Sequence, residues 1–146
     1  MKYISTRGQT EPMDFSDVLL MGLAPDGGLM LPEHYPNVDE ATLQQWRELS
    51  YPELALAIMQ RFATDIPHAD LKDIVDRTYT TEVFGDSEIV PVRKLEENLY
   101  ILGLSNGPTL AFKDVAMQFL GNAFEYVLKR QDARITIIGA TSGDTG

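Results

Sequence analysis

The eight residues ARITIIGA, at positions 133–140, constrain the fold of this chain more than any other segment. The run is continuous and rich in β-branched residues, which is typical of a strand buried on both faces of a parallel sheet. A long helical pattern precedes it, and two strand candidates come earlier, at 88–95 and 99–105. Strand, helix and strand in this order predict the beginning of an α/β layer. Since the chain stops at Gly146, soon after the last of these strands, we expect the α/β domain to be truncated.

Residues 1 to about 80 show a different pattern, in which helices dominate. A short strand is predicted at 2–5, followed by a brief helix near 15–23 and a loop rich in proline and glycine at 24–36. Asp39 is a candidate cap for a helix that runs to about Leu49, and a further helix is predicted to start at Ser50. In a third helix, at about 69–78, the apolar spacing places Leu71, Ile74 and Val75 inward. We therefore predict two domains: a mainly helical one at 1–80 and the first part of an α/β domain at 81–146.

Composition excludes several classes of function. The formal net charge is −10, and the 12 lysines and arginines are scattered, so no nucleic-acid partner is expected. The chain has no cysteine, and therefore neither disulfides nor a thiolate zinc site. His34 and His68 lack the spacing of metal ligands, so no metal site is predicted. No signal peptide or apolar run of about 18 residues is present, which predicts a cytoplasmic protein without a membrane partner.

Lys113 is the first candidate for chemistry. It ends the segment GPTLAFK, just where the apolar spacing of a long helix begins, at 112–128. That spacing predicts that Lys113 leans toward the edge of the core and that Asp114 points to solvent. Partial burial and the positive end of the helix dipole would both favour the neutral amine, which is a nucleophile for carbonyl groups. The residues alone leave a second interpretation open, in which the lysine lies along apolar surface and reaches into water.

The segment IIGATSGDTG, at 137–146, is the second candidate. A predicted strand leads into three glycines with hydroxyl side chains between them, at the expected start of a helix. Backbone N–H groups and hydroxyls in this arrangement are suited to binding an anion. The spacing matches neither the P-loop nor the G-x-G-x-x-G motif. A tight glycine turn with no ligand remains the alternative.

Taken together, SNGPTLAFKD (105–114) and GATSGDTG (139–146) resemble two motifs of the pyridoxal-phosphate enzymes of fold type II. The first is similar to the cofactor-lysine motif of that family, and the second to its substrate-carboxylate loop. YISTRG (3–8) and LLMGLAPDGGLMLP (19–32) are similar to the N-terminal domain of one branch, the threonine synthases. The resemblance covers essentially the whole chain. One departure from cysteine-synthase relatives is Asp144, where those proteins usually have Asn.

The resemblance implies a function and a set of site residues. Lys113 would bind pyridoxal 5'-phosphate covalently and then move protons on the substrate, while Asp144 would lie close to the phenolic oxygen of the cofactor. Asn106 and Thr109 would line the entrance. The reaction implied is a lyase reaction that converts O-phospho-L-homoserine and water to L-threonine and phosphate, in a monomer or homodimer. The residues expected to bind the substrate carboxylate are Thr141, Ser142, Gly143, Asp144 and Thr145.

Some parts of such a site would lie downstream of Gly146, namely the glycine-rich cup for the cofactor phosphate and the partner of the pyridine nitrogen. We therefore expect the 146-residue chain alone to be inactive and to bind the cofactor weakly. Two alternatives stay open at this point. One is another fold type II enzyme, a threonine dehydratase or a cysteine synthase, against which the N-terminal motifs argue. The other is a binding module for a small anion, in which Lys113 acts only through its charge.

Overall fold

The computed structural model describes residues 1–140 and Gly143. These residues divide into two compact units. The N-terminal unit comprises Met1–Leu49 and Glu53–Asp73, and the C-terminal unit comprises Ser50–Pro52 and the residues from Ile74 onward. Helices and strands occur in both units, so the mixed fold class expected from the sequence is confirmed.

The strands of the N-terminal unit form a small antiparallel sheet. Strand β1 (Tyr3–Ser5) pairs with β2 (Met30–Pro32), so that Tyr3 lies opposite Pro32 and Ser5 opposite Met30. Tyr3 also exchanges both backbone hydrogen bonds with Met13, at 2.9 and 3.0 Å. The alternation along β1 buries Tyr3 and Ser5 and exposes the residue between them, as a strand with one buried face requires. The strand predicted at 2–5 is confirmed.

Four helices follow the predicted pattern closely: α1 (Phe15–Met21), α2 (Glu40–Trp46), α3 (Tyr51–Met59) and α4 (His68–Thr78). The start of α2 is fixed by Asp39, whose Oδ1 accepts a hydrogen bond from the Thr42 N–H at 2.8 Å, as an N-cap does. Helices α3 and α4 each contribute residues to both units. In α4 the three positions predicted to face inward, Leu71, Ile74 and Val75, are fully buried.

After the end of α4, the C-terminal unit continues with a short helix and a hairpin. Helix α5 (Thr81–Phe84) is capped by the Thr80 hydroxyl, which accepts from the Val83 N–H at 3.2 Å. Strands β3 (Val92–Glu96) and β4 (Leu99–Leu102) then pair antiparallel across a tight turn. Every residue of both strands is exposed. The side chains of the hairpin therefore bury little surface within the described residues. A two-stranded hairpin without a covered face is only marginally stable in water.

Helix α6 (Asp114–Gln131) is the long helix predicted after Phe112. It ends at Asp132, which adopts the left-handed conformation common at helix C-termini (φ 50°). Of the apolar face predicted for it, Ala123 and Val127 are buried, whereas Phe112 at its start is 61% exposed. No helix in the described part of the chain is both long and apolar enough to cross a membrane.

The strand predicted at 133–140 is wrong for this chain. These residues form no regular structure, and Ile137 and Ile138 are 73% and 92% exposed. Both sheets among the described residues are two-stranded and antiparallel, so the segment has no neighbouring parallel strand. A strand is stabilised by the ladder of hydrogen bonds to its neighbours, which the β-branched composition of a segment cannot replace.

Candidate functional site

A tight turn precedes the candidate lysine. The Leu110 N–H donates to the Gly107 carbonyl at 3.0 Å, which closes the turn around Pro108 and Thr109. Leu110 lies in the left-handed region with φ 61°, a conformation that costs a residue with a side chain about 1–2 kcal/mol. Its side chain is 72% exposed, so burial of the leucine does not offset that cost. Other contacts of the turn must therefore hold it in place.

Asp114 provides those contacts. Its Oδ2 accepts from the Thr109 N–H at 2.8 Å, and its Oδ1 accepts from the Thr109 hydroxyl at 2.9 Å. The aspartate is only 3% exposed, and buried carboxylates are retained where donors satisfy their oxygens. Two hydrogen bonds from one residue thus close the segment Thr109–Asp114, which contains the lysine.

Gly107 is required by the same arrangement. A Cβ atom at this position would overlap the Cβ and Oδ2 atoms of Asp114 and would lie 2.6 Å from its Cγ. The backbone of Gly107 does not have a positive φ, so the requirement for glycine is steric rather than conformational. Gly107 is therefore the residue that makes room for the buried carboxylate.

Lys113 immediately precedes α6, and its backbone is fixed. Its carbonyl accepts from the Ala116 and Met117 N–H groups at 3.0 and 2.8 Å, and its own φ and ψ are already helical. The side chain is partly exposed, with Nζ 5.9 Å from the centroid of the Phe112 ring. The lysine therefore has a fixed backbone and a side chain that is partly exposed.

The orientation predicted for Asp114 is wrong, whereas the partial burial of Lys113 is compatible with the predicted position at the edge of the core. The aspartate is the buried residue of the pair, and the lysine is partly exposed. Apolar spacing pointed the other way because it treats a carboxylate as a solvent-seeking group. Here the Thr109 donors and the space beside Gly107 make burial of the carboxylate favourable.

The first turn of α6 has a second anchor in Tyr79, at the C-terminal end of α4. The Tyr79 hydroxyl donates to the Val115 carbonyl at 3.0 Å. Burial raises the pKa of the Tyr79 hydroxyl, and the neighbouring Tyr51, whose ring lies 5.1 Å away edge to face, adds to the effect. The phenol therefore remains protonated, and remains a donor, across the ordinary pH range.

The sequence did not reveal how many hydrogen bonds two aspartates accept within their loops. One is Asp114. The other is Asp26 in the N-terminal unit, which accepts from Ser5 Oγ at 2.7 Å, Gly28 N–H at 2.8 Å and Gln9 N–H at 3.0 Å. Partial burial raises the pKa of Asp26, but these hydrogen bonds outweigh that effect and lower the pKa to about 2. The bond to Gly28, two residues on, is an Asx turn, and the sequence PDGG is a signal for it.

Most of the predicted carboxylate loop lies outside the described residues: Thr141, Ser142, Asp144 and Thr145. Gly143 is described, and its φ of 113° belongs to the region that favours glycine. Of the other predicted site residues, Thr109 is bonded to Asp114, and Asn106 lies next to Gly107 and is partly exposed. Within residues 1–140 and Gly143, no group of three or more histidine or acidic side chains is placed to hold a metal ion.

Comparison with known proteins identifies relatives of the whole chain. The family model described as "Threonine synthase N terminus" matches residues 2–79. Threonine synthase from Methylobacillus glycogenes is 56% identical over 153 aligned positions, which cover 100% of this chain and 32% of that protein. The threonine synthase from Corynebacterium glutamicum is 54% identical, with 100% and 31% covered.

Solved structures agree with the sequence relatives. The crystal structure of PLP-bound threonine synthase from Brucella melitensis is 46% identical and superimposes with a TM-score of 0.94. The match covers 99% of this chain and 31% of that one. The chain thus spans about a third of the length of the proteins that it resembles.

Proposed function

Because the chain belongs to the threonine synthase family, we propose that it forms the N-terminal part of an enzyme that converts O-phospho-L-homoserine and water to L-threonine and phosphate. The reaction is a lyase reaction, with γ-elimination of phosphate followed by addition of water at Cβ. In this proposal residues 1–80 form the N-terminal domain of the family and residues 81–146 begin the cofactor-binding α/β domain. The family match over residues 2–79 favours this assignment over a threonine dehydratase or a cysteine synthase.

We further propose pyridoxal 5'-phosphate as the cofactor and Lys113 as the residue that holds it. The chemistry of Lys113 fits this group, since a primary amine reacts with an aldehyde when it is neutral. Its accessible side chain and fixed backbone meet the two requirements of a covalent attachment point. When bound, the cofactor supplies an electron sink for carbanions, which protein side chains lack. The observation that carries the proposal is a partly exposed lysine with a fixed backbone in a chain that superimposes closely on a PLP-bound threonine synthase.

Lys113 also serves as the proton carrier in this mechanism. A group that removes a proton from one substrate carbon and returns it to another must stay within hydrogen-bond reach of both. The helical hydrogen bonds to the Lys113 carbonyl fix the point from which the side chain swings.

The substrate carboxylate is assigned to Thr141, Ser142, Gly143, Asp144 and Thr145, with Asp144 also close to the phenolic oxygen of the cofactor. Gly143, at the centre of this segment, has a φ of 113°, a conformation that favours glycine. Asn106 and Thr109 would line the entrance. Since the Thr109 hydroxyl already donates to Asp114, its contribution is to shape the turn rather than to contact the substrate.

The proposal also covers the location of the protein in the cell and its oligomeric state. The protein acts on a small molecule in the cytoplasm, as a monomer or homodimer, without nucleic acid or membrane partners. The 146-residue chain by itself is expected to form no threonine, because it spans about a third of its relatives. An assay of threonine and phosphate release from O-phospho-L-homoserine measures this, and robust turnover by the chain alone would contradict it.

Borohydride trapping tests the assignment of the cofactor lysine. The chain is incubated with pyridoxal phosphate, reduced, digested and mapped by mass spectrometry. We expect the adduct at Lys113 to exceed those at Lys94 and Lys129, which are exposed in β3 and α6. Lys113→Arg should abolish that preference and leave the labelling of the other two unchanged. Equal labelling of the three lysines in the unsubstituted chain would reject the proposal and support a module that binds anions by charge.

A further inference from the structure

We propose that Asp114 is a positioning residue for Lys113, acting through a clamp made of Gly107, Thr109 and Asp114. The inference rests on the function proposed for Lys113 and adds to it the groups that hold the lysine ready. Asp114 does not itself contact the reacting atoms in this account. It determines where the side chain of its neighbour begins and which way it leaves the backbone.

The clamp closes a short segment with two hydrogen bonds to one carboxylate. Both oxygens of one carboxylate bond to one residue, Thr109, through its N–H and its hydroxyl. Thr109 and Asp114 are five positions apart, and Lys113 lies between them. The two hydrogen bonds fix Thr109 in position and orientation relative to the start of α6. A single contact would leave the segment free to rotate about it.

The segment inside the clamp needs such a restraint. Leu110 has a positive φ, and both Leu110 and Phe112 expose most of their side chains to solvent. Neither residue gains enough burial to hold the segment in this conformation. Backbone strain of this kind costs about 1–3 kcal/mol and persists only where surrounding contacts enforce it. The bonds to Asp114 are the contacts that do so here.

Gly107 completes the clamp because it leaves space for the Asp114 side chain. The Asp114 side chain lies where a Cβ of residue 107 would be. Any other residue at 107 would displace the carboxylate from Thr109. The clamp therefore links three positions of the GPTLAFKD segment, each with a separate and testable role. It also explains why a polar residue is buried beside a lysine that stays accessible.

The clamp fixes the backbone of Lys113 from the N-terminal side, while α6 fixes it from the C-terminal side. The Asp114 N–H donates to the Ala111 carbonyl at 3.0 Å, and the Lys113 carbonyl accepts from Met117. Reaction of an amine with a carbonyl depends steeply on approach geometry, so small displacements of the origin of the side chain are costly. Releasing the clamp should lower the reactivity of Lys113 while α6 itself remains folded.

Borohydride trapping of pyridoxal phosphate on clamp variants of the 146-residue chain tests the proposal. Asp114→Asn keeps the size of the side chain but replaces one acceptor oxygen with a donor, so Thr109 loses a partner. We expect the Lys113 adduct, measured relative to that at Lys94, to fall about tenfold, in line with the loss of a hydrogen bond to a charged group. Thr109→Val should produce a smaller fall, about threefold, because it removes the hydroxyl bond but leaves the charge of Asp114 and its bond from the residue 109 N–H.

Rescue and matched controls separate positioning from general stability. Thr109→Ser keeps the hydroxyl and should restore the ratio of the unsubstituted chain. Asp132→Asn makes the same chemical change at the other end of α6, where the left-handed conformation also suits Asn, and should leave the ratio unchanged. Circular dichroism of each variant reports whether the helix persists, and only variants with the helical signal of the unsubstituted chain are compared.

The outcomes distinguish the two proposals. A preference for Lys113 that survives Asp114→Asn and Thr109→Val overturns the clamp and leaves the function of Lys113 intact. Failure of Thr109→Ser to restore a ratio lowered by Thr109→Val also overturns the clamp. If the unsubstituted chain shows no preference for Lys113, the function proposed for the lysine fails and the clamp has nothing to position. Loss of the preference in Asp114→Asn, together with a ratio that falls in Thr109→Val and is restored in Thr109→Ser, supports both.

Discussion

Asp26 and Asp114 organise two loops by the same chemistry and with different consequences. Each accepts hydrogen bonds from a backbone N–H and a side-chain hydroxyl, and each lies beside a glycine that has no room for a Cβ. Asp26 is partly exposed and joins distant parts of the N-terminal unit, whereas Asp114 is buried and closes a segment of six residues. A carboxylate can therefore either tie a loop to its surroundings or fix one neighbouring side chain.

The largest expected difference between the two loops is in the free energy of unfolding that is lost when alanine replaces the glycine of each loop. Gly107→Ala should destabilise the C-terminal unit by about 1–3 kcal/mol, because the new methyl group overlaps a buried side chain. Gly28→Ala should cost less, since its nearest contact is the Ser5 hydroxyl, which can rotate away at the expense of its bond to Asp26. Urea unfolding followed by circular dichroism measures both free energies.

A glycine in open space supplies the control for that pair. Gly121 lies within α6, and a Cβ there would meet no atom within 4 Å. Gly121→Ala should therefore stabilise the chain by about 0.5–1 kcal/mol, as alanine does in a helix interior. Equal effects of Gly107→Ala and Gly28→Ala, or a stabilising Gly107→Ala, would show that the carboxylate does not need the space beside Gly107.

A smaller effect is expected in the way the stability of the N-terminal unit depends on pH. The folded state holds the pKa of Asp26 at about 2, below its ordinary value of 3.8, because of the hydrogen bonds that outweigh its burial. The stabilisation from Asp26 is therefore fully present above about pH 4 and is lost as the pH falls toward 2. Asp26→Asn should remove this dependence of stability on pH. The difference in free energy of unfolding between Asp26→Asn and the unsubstituted chain should therefore shrink as the pH falls from 4 to 2.

The single tryptophan is a convenient probe of that effect. Trp46 lies in the N-terminal unit, with the Arg61 guanidinium 5.1 Å from the centre of its ring. Its fluorescence during urea unfolding follows the N-terminal unit without a label. A difference between Asp26→Asn and the unsubstituted chain that stays constant from pH 5 to pH 2 would contradict the account of Asp26.

The smallest expected effect concerns the strain at Leu110. Leu110→Gly removes the cost of a positive φ but increases the freedom of the unfolded chain, so the net gain should be below about 1 kcal/mol. The stability of the C-terminal unit in urea measures it. A loss of more than that amount would show that the exposed leucine makes stabilising contacts, and that the clamp is not what holds the segment.

Local signals predicted much of this fold. Asp39 as a helix cap and the inward face of Leu71, Ile74 and Val75 follow from spacing within one helix, and the structure confirms both. The strand at 133–140 failed because a parallel strand depends on neighbours that its own composition does not supply. The pattern of β-branched residues reports what a segment would favour in a sheet, and not whether a sheet is present.

In the candidate site, too, the sequence predicted some features and missed others. Lys113 stood out from its place at the start of a helix. The orientation of Asp114 was predicted wrongly, because apolar periodicity carries no information on whether a carboxylate finds donors. Those donors belong to Thr109, and the space belongs to Gly107, so the burial of Asp114 depends on three positions at once. Single-residue propensities do not describe such a combination.

The central claim is that Asp114, unlike Asp26, acts on the reactivity of a neighbouring lysine. The most direct test compares Asp114→Asn and Asp26→Asn in one borohydride-trapping experiment with pyridoxal phosphate, measuring the ratio of adduct at Lys113 to adduct at Lys94. We predict that the ratio falls about tenfold in Asp114→Asn, as for the loss of a charge-assisted hydrogen bond, and is unchanged in Asp26→Asn. Equal ratios in the two variants would contradict the claim.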